Sequence, residues 1–194
     1  EGQIASLRRG LEDAAVAPND VDFIEAHGTG TRAGDDCELR SYASVYGDRD
    51  PLRPVTIGAV KSQIGHLSSA AGAVGLVKAV LALEERVLPP SLFDEQRYTP
   101  SLPGLELATV ARPWVTPAGR LRRAAVSAFG LGGANVHVVL EEAREQPAAP
   151  LGPLIGHGRG PYADRFEVAL APLSLPARER TFPVRGKRAL IVPP

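Results

Sequence analysis

The strongest constraint on this chain is a juxtaposition that occurs twice. A short apolar run gives way to a glycine-framed loop carrying one histidine, and a run of helical period follows. The first instance is Glu25-Ala26-His27-Gly28-Thr29-Gly30-Thr31 and the second Lys61-Ser62-Gln63-Ile64-Gly65-His66. Strands that turn through glycines into helices belong to alternating α/β architecture. Each imidazole is thereby expected at a strand end, facing a cleft. A pair of fixed N–H donors aimed at one point suits a reaction passing through an enolate or oxyanion.

Periodicity supports that alternation. Residues 4–16 place Ile4, Leu7, Leu11 and Ala15 on one helical stripe, with Arg8, Arg9, Glu12 and Asp13 elsewhere. Residues 21–26 and 55–60 read as short strands, and 36–46 as a helix opened by acidic residues, which the helix dipole favours. Ser68 or Ser69 is expected to cap a helix reaching about residue 85, apolar enough to be buried and rich in alanine and glycine for close packing. Strands are expected at 105–110, 124–129 and 136–141, the last two antiparallel across Gly130-Leu131-Gly132-Gly133-Ala134-Asn135. After about residue 146 the pattern changes: nine of the eighteen prolines lie there, and only 166–170 and 189–192 look strand-like.

Composition excludes several classes. Lys and Arg (22) balance Asp and Glu (22) and are dispersed, against a nucleic-acid or anionic-membrane surface. The apolar stretch 70–83 is shorter than the roughly 20 residues that cross a bilayer and carries Lys78. One cysteine, Cys37, leaves no internal disulfide and fits a reducing, cytoplasmic setting. It is expected to be a buried, inert thiol. The chain contains no methionine, which points to a trimmed chain or a portion of a longer one. The four histidines and Cys37 lack metal-ligand spacing, so no metal is expected. His137 alternates with valines and reads as a packed histidine, His157 as a solvent-exposed one, and Arg120, Arg122 and Arg123 as a solvated face.

The two histidine loops, Gly34-Asp35 with Glu38, Val60-Lys61-Ser62, and Ser127-Ala128-Phe129 running into the glycine loop together resemble β-ketoacyl synthases. Arg112-Pro113-Trp114 and His137-Val138-Val139-Leu140-Glu141-Glu142 resemble the ketosynthase domains of modular type I polyketide synthases. The resemblance covers residues 1–145 and implies the second half of a thiolase-type fold, an α/β mixed sheet covered by helices. A Pro/Gly-rich linker over 146–194 would follow. It further implies decarboxylative Claisen condensation between an acyl thioester and a malonyl-type extender. The nucleophilic cysteine would come from an N-terminal half.

On this resemblance His27 and His66 would donate hydrogen bonds to the extender's thioester oxygen. Lys61 would stand behind them, paired with Glu38. Thr29 and Thr31 would hold the phosphopantetheine arm of an acyl carrier protein, and Leu131 would supply the backbone N–H of the acyl oxyanion hole. Phe129, Gly130 and Asn135 would shape that substrate-binding loop. No cofactor would be bound by this chain itself. The expected partners are the N-terminal half, the carrier protein and a second copy in a homodimer. Leu131 replaces a common phenylalanine, Gln63 a usual asparagine, and Arg32-Ala33 and Asp36-Cys37 also depart from the familiar pattern; none is a proposed proton donor.

Two other readings compete. Gly28-Thr29-Gly30 between strand and helix imitates a dinucleotide-binding turn, although Gly34 falls one residue too far for the full motif. A ketosynthase-like scaffold or a fragment inactive alone would carry the same residues. Thiolase itself is disfavoured, because no cysteine follows Cys37.

Overall fold

Five strands form the sheet on which both histidine loops stand, in the order β4-β2-β1-β6-β7. They are β1 (Phe23–Glu25), β2 (Val55–Gly58), β4 (Leu105–Leu107), β6 (Arg123–Phe129) and β7 (Asn135–Glu141). The computed structural model describes residues 1–92 and 102–143 and two short strands, β8 (Pro183–Val184) and β9 (Lys187–Arg188). The chain divides into a unit Glu1–Ala148 and a unit Ala149–Pro194. Within the second, β8 and β9 pair antiparallel.

In the first unit β1 lies parallel to both β2 and β6, and β2 parallel to β4. The β6–β7 hairpin is antiparallel, with Phe129 opposite Asn135 and Ser127 opposite His137, as the sequence leads one to expect. Parallel neighbours demand crossovers, which the helices supply. Strand alternation then sends Ile24 into one core layer and its neighbour Phe23 into the other.

The first layer holds α1 (Gly2–Ala14) and α2 (Arg32–Tyr46), whose Leu7, Leu11, Tyr42 and Tyr46 pack with Ile24, Val55 and Ile57. The second holds α4 (Ala71–Glu85), where Ala79, Ala82 and Leu83 meet Phe23, Trp114, Ala124 and Val126. The result is a mixed sheet covered by helices, the arrangement expected of the second half of a ketosynthase.

Several local expectations are corrected. α2 begins at Arg32, four residues before the start expected at Asp36. A one-turn helix, α3 (Lys61–Ile64), separates β2 from His66, so that histidine does not sit directly at a strand end. Neither Ser68 nor Ser69 caps α4 by side chain; both lie in a 3₁₀ turn leading into it, with Ser68 at φ 53°. Helix α4 is buried along one face only, because Leu76, Val77 and Leu81 point out of the second layer. Two short strands, β3 (Val87–Leu88) and β5 (Arg112–Pro113), pair antiparallel where no strands are expected.

Charge placement differs too. Arg120 and Arg122 are largely buried rather than solvated: Arg120 pairs with Asp22 at 2.6 Å and Arg122 with Glu142 at 2.6 Å. Cys37 is exposed, on the outer side of α2 near Gln3. The strand-like runs 166–170 and 189–192, and His157, lie outside the described residues.

Candidate active site

His27 and His66 meet although 39 positions separate them: their ring centroids are 5.7 Å apart and the planes stand at 87°. Phe129 closes the other side of His27, with centroids 5.9 Å apart. The β1–α2 loop brings His27 there and the turn after α3 brings His66, since β1 and β2 are parallel neighbours and their C-terminal ends lie together. Ligand sites of open α/β sheets form at such carboxyl ends.

The His27 loop is held from below by a carboxylate. Glu38, buried in α2, accepts the His27 N–H at 2.7 Å on Oε1 and the Gly28 N–H at 2.9 Å on Oε2. The Tyr42 hydroxyl donates to Oε1 as well, at 2.6 Å. Asp35 accepts the Gly30 N–H at 3.2 Å. Gly28 and Gly30 have φ of 43° and 77°, which glycine adopts without strain. A Cβ on Gly28 would also come within 2.6 Å of the Ala59 Cβ. This geometry corrects the dinucleotide reading: the amides that would cradle a phosphate are already engaged by carboxylates, which would repel one.

The expected Lys61–Glu38 pair does not form among the described residues. Glu38 takes its hydrogen bonds from the loop amides and Tyr42, and Lys61 stands off, half-buried. Burial lowers the Lys61 ammonium, while Glu25 and Glu38 oppose that shift through space. Burial raises Glu38, and its hydrogen bonds from Tyr42, Gly28 and His27 act against the rise.

The two imidazoles are set up differently. Burial first, then the charges of Lys61 and His66, push His27 down to about 4. It is therefore neutral at pH 7. Its Nδ1 is buried without a partner among the described residues, so Nε2 is the nitrogen that can meet a bound group. His66 accepts the Ser68 N–H on Nδ1 at 2.9 Å. With Nδ1 serving as acceptor, the ring N–H is at Nε2, so His66 presents an Nε2–H donor.

The remaining predicted residues lie on the His27 loop and on the β6–β7 hairpin. Thr29 and Thr31 are hydrogen-bonded to each other at 3.1 Å on the exposed loop. Gly130 and Leu131 lie on a tight turn closed by Gly133 N–H to Gly130 O at 3.0 Å, with Leu131 fully exposed at its tip. Asn135 lies beside Gly2 at the start of α1. A cavity of about 240 Å³ runs behind the loops, lined by Gly28, Thr29, Glu38, Lys61, Leu92 and Leu107.

Sequence reasoning missed Glu25, Tyr42 and Lys78. Glu25 is visible in the motif but carries no signal of its own, and the other two stand in ordinary helical patterns. No group of three or more His, Cys, Asp or Glu capable of holding a metal occurs among the described residues. Nor is any described helix long and apolar enough to cross a membrane.

Residues 1–93 match the C-terminal domain of β-ketoacyl synthases. The chain is 48% identical over 172 residues to an erythronolide synthase of Saccharopolyspora erythraea, covering 83% of this chain and 5% of that protein. It is 44% identical over 162 residues to a pikromycin polyketide synthase component of Streptomyces venezuelae, covering 80% of this chain and 10% of that one. It thus spans a small part of the curated relatives it matches. Among solved structures, the ketosynthase from module 6 of the bacillaene synthase of Bacillus subtilis 168 superimposes with a TM-score of 0.68 at 35% identity, covering 75% of this chain and 26% of that one. An oxazolomycin ketosynthase domain of Streptomyces albus gives 0.67 at 39%, over 76% and 27%. By this family match, these identities and these superpositions, the chain belongs to the β-ketoacyl synthase family, as a C-terminal ketosynthase segment of the modular type I polyketide synthase kind.

Proposed function

We propose that this segment supplies the two hydrogen-bond-donating imidazoles of a decarboxylative Claisen condensation. The observation that carries the reading is the convergence of His27 and His66, 5.7 Å apart between ring centroids. Residues 1–145 act as the ketosynthase portion and 146–194 as the linker after it. A cysteine from the N-terminal half takes the acyl group from the phosphopantetheine of an acyl carrier protein. The extender thioester then loses its carboxylate as CO₂, and the electron pair left behind forms an enolate. Its carbon attacks the acyl carbonyl; the new carbon–carbon bond forms as the carbon–sulfur bond to the cysteine breaks, returning the thiolate.

His27 and His66 stabilise the enolate oxygen by hydrogen bonds that strengthen as charge develops there. Each ring donates an N–H to that oxygen and keeps its proton. Lys61 adds positive potential behind them. Thr29 and Thr31 hold the pantetheine arm, and the Leu131 N–H faces the acyl oxygen, with Phe129, Gly130 and Asn135 forming the surrounding loop. The chain binds no cofactor of its own in this scheme and works in the cytoplasm as part of a homodimer.

Replacing His27 or His66 by alanine in the assembled ketosynthase is expected to reduce condensation by about 10²–10³, or roughly 3–4 kcal/mol, per lost oxyanion donor. Self-acylation of the cysteine should largely persist, measured by single-turnover transfer of a radiolabelled acyl group. Near-normal condensation in either variant would overturn the reading.

A further inference from the structure

Glu25 is 1% exposed, an unusual place for a carboxylate. It closes β1, two residues before His27, and projects into the α4 layer. Its Oε1 accepts the Val60 N–H at 2.5 Å. Its Oε2 lies 2.9 Å from Lys78 Nζ of α4, off the hydrogen-bonding direction, so that contact is coulombic. Lys78 Nζ also lies 5.8 Å from the centre of the Phe23 ring. Gly75 admits the carboxylate: a Cβ there would stand 3.2 Å from Glu25 Cγ.

Val60 is a consequential residue to hold. It is the N-cap of α3, and its carbonyl accepts Gln63 N–H at 2.9 Å and Ile64 N–H at 3.1 Å. Lys61 follows it directly, and His66 stands one turn further on. Ladder pairing between β1 and β2 ends with Ala26 N–H to Gly58 O at 2.8 Å, so beyond Gly58 the sheet no longer fixes the second loop against the first. Ser91 takes the Ala59 N–H at 2.8 Å but belongs to neither histidine loop. The Glu25–Val60 bond joins the stem of the His27 loop to the start of the His66 loop.

We propose that Glu25 is a positioning residue, whose buried carboxylate ties Val60 to the end of β1 and so fixes the Lys61–His66 loop against His27. Its catalytic consequence rests on the function proposed above. Lys78 neutralises the carboxylate, and the acceptor atom does the positioning. A displacement of about 1 Å in such a site can cost on the order of 10²-fold in rate.

The test compares two doubly neutral variants that differ in the acceptor alone: Glu25→Gln with Lys78→Met, and Glu25→Leu with Lys78→Met. Condensation by the assembled ketosynthase is measured for both, and the histidine ring signals are followed by NMR in that same assembled protein. The glutamine variant, which still accepts the Val60 N–H, is expected within about tenfold of the parent. The leucine variant should lose about 10²-fold in kcat, with KM for the extender thioester little changed. Its His66 ring signals should move relative to the glutamine variant, while those of His137, held by Tyr46 and Ser127, should not. Equal rates and unmoved His66 signals in both variants would overturn the proposal. Loss of folding in either one would also overturn it, by assigning the pair a purely structural role. Signals that move without any change in rate would support the positional claim and overturn the catalytic reading instead.

Discussion

His27 and His137 are both pushed by burial down to about 4, the first at the site and the second on β7, buried against Tyr46. His137 can satisfy both ring nitrogens while neutral: it meets the Tyr46 hydroxyl at 2.7 Å through Nε2 and the Ser127 hydroxyl at 2.9 Å through Nδ1. In the unfolded chain each ring titrates near 6.5, so on acidification the unfolded state takes up protons first. Stability from these rings is complete above pH 6.5, falls between 6.5 and about 4, and levels off below. His137 alone accounts for about 3 kcal/mol across that window. Urea titrations between pH 4 and 7.5 should show the decline, and His137→Gln should flatten it; an unchanged slope would contradict the assignment. At this scale the sequence was a good guide to the convergence of His27 and His66 and to the burial of His137, because motif and alternation place them. It misjudged Cys37, Arg120 and Arg122, since burial of a single side chain depends on partners such as Asp22 and Glu142 that are remote in sequence.

Helix α1 rests on β7 at its glycine. A Cβ on Gly10 would come within 2.4 Å of the His137 carbonyl oxygen and 3.1 Å of its Cδ2. The first contact is with backbone, which cannot turn aside. Gly10→Ala should therefore destabilise the fold by about 1–3 kcal/mol net, despite the ~1 kcal/mol that alanine gains in helix propensity. Chemical denaturation reads this directly, and a variant as stable as the parent would sink the packing argument. The long elements were legible because their periods are strong, including the β6–β7 hairpin around its glycines. Short ones were not: α3 has four residues and β3 and β5 two each, too few for any period to declare itself. The start of α2 was misplaced because Arg32 and Ala33 carry no cap signal, and Thr31 makes no side-chain cap.

Across the first unit, one layer of helices is fully seated and the other is not. Val77 and Leu81 of α4 are 57% and 50% exposed, and residues 63–70, His66 included, are exposed with them. This apolar face is contiguous with the histidine pair, and on the proposed function the cysteine-bearing half covers it. The apolar pattern of α4 could not reveal this, because a helix apolar on every side looks alike in sequence whether one or both faces are covered. Convergence of two remote loops, by contrast, was expected from reading each as a glycine-framed loop between a strand and a helix, facing a cleft.

That convergence is the centre of the account, and ring NMR of the assembled ketosynthase tests it most directly. An extender thioester analogue whose carboxylate cannot leave is titrated in while the His27 and His66 ring nitrogens are observed. The account predicts that both rings respond along one saturation curve, with the His66 Nε2–H moving downfield as its hydrogen bond forms. A response from one ring alone, or two separate curves, would contradict a shared oxygen.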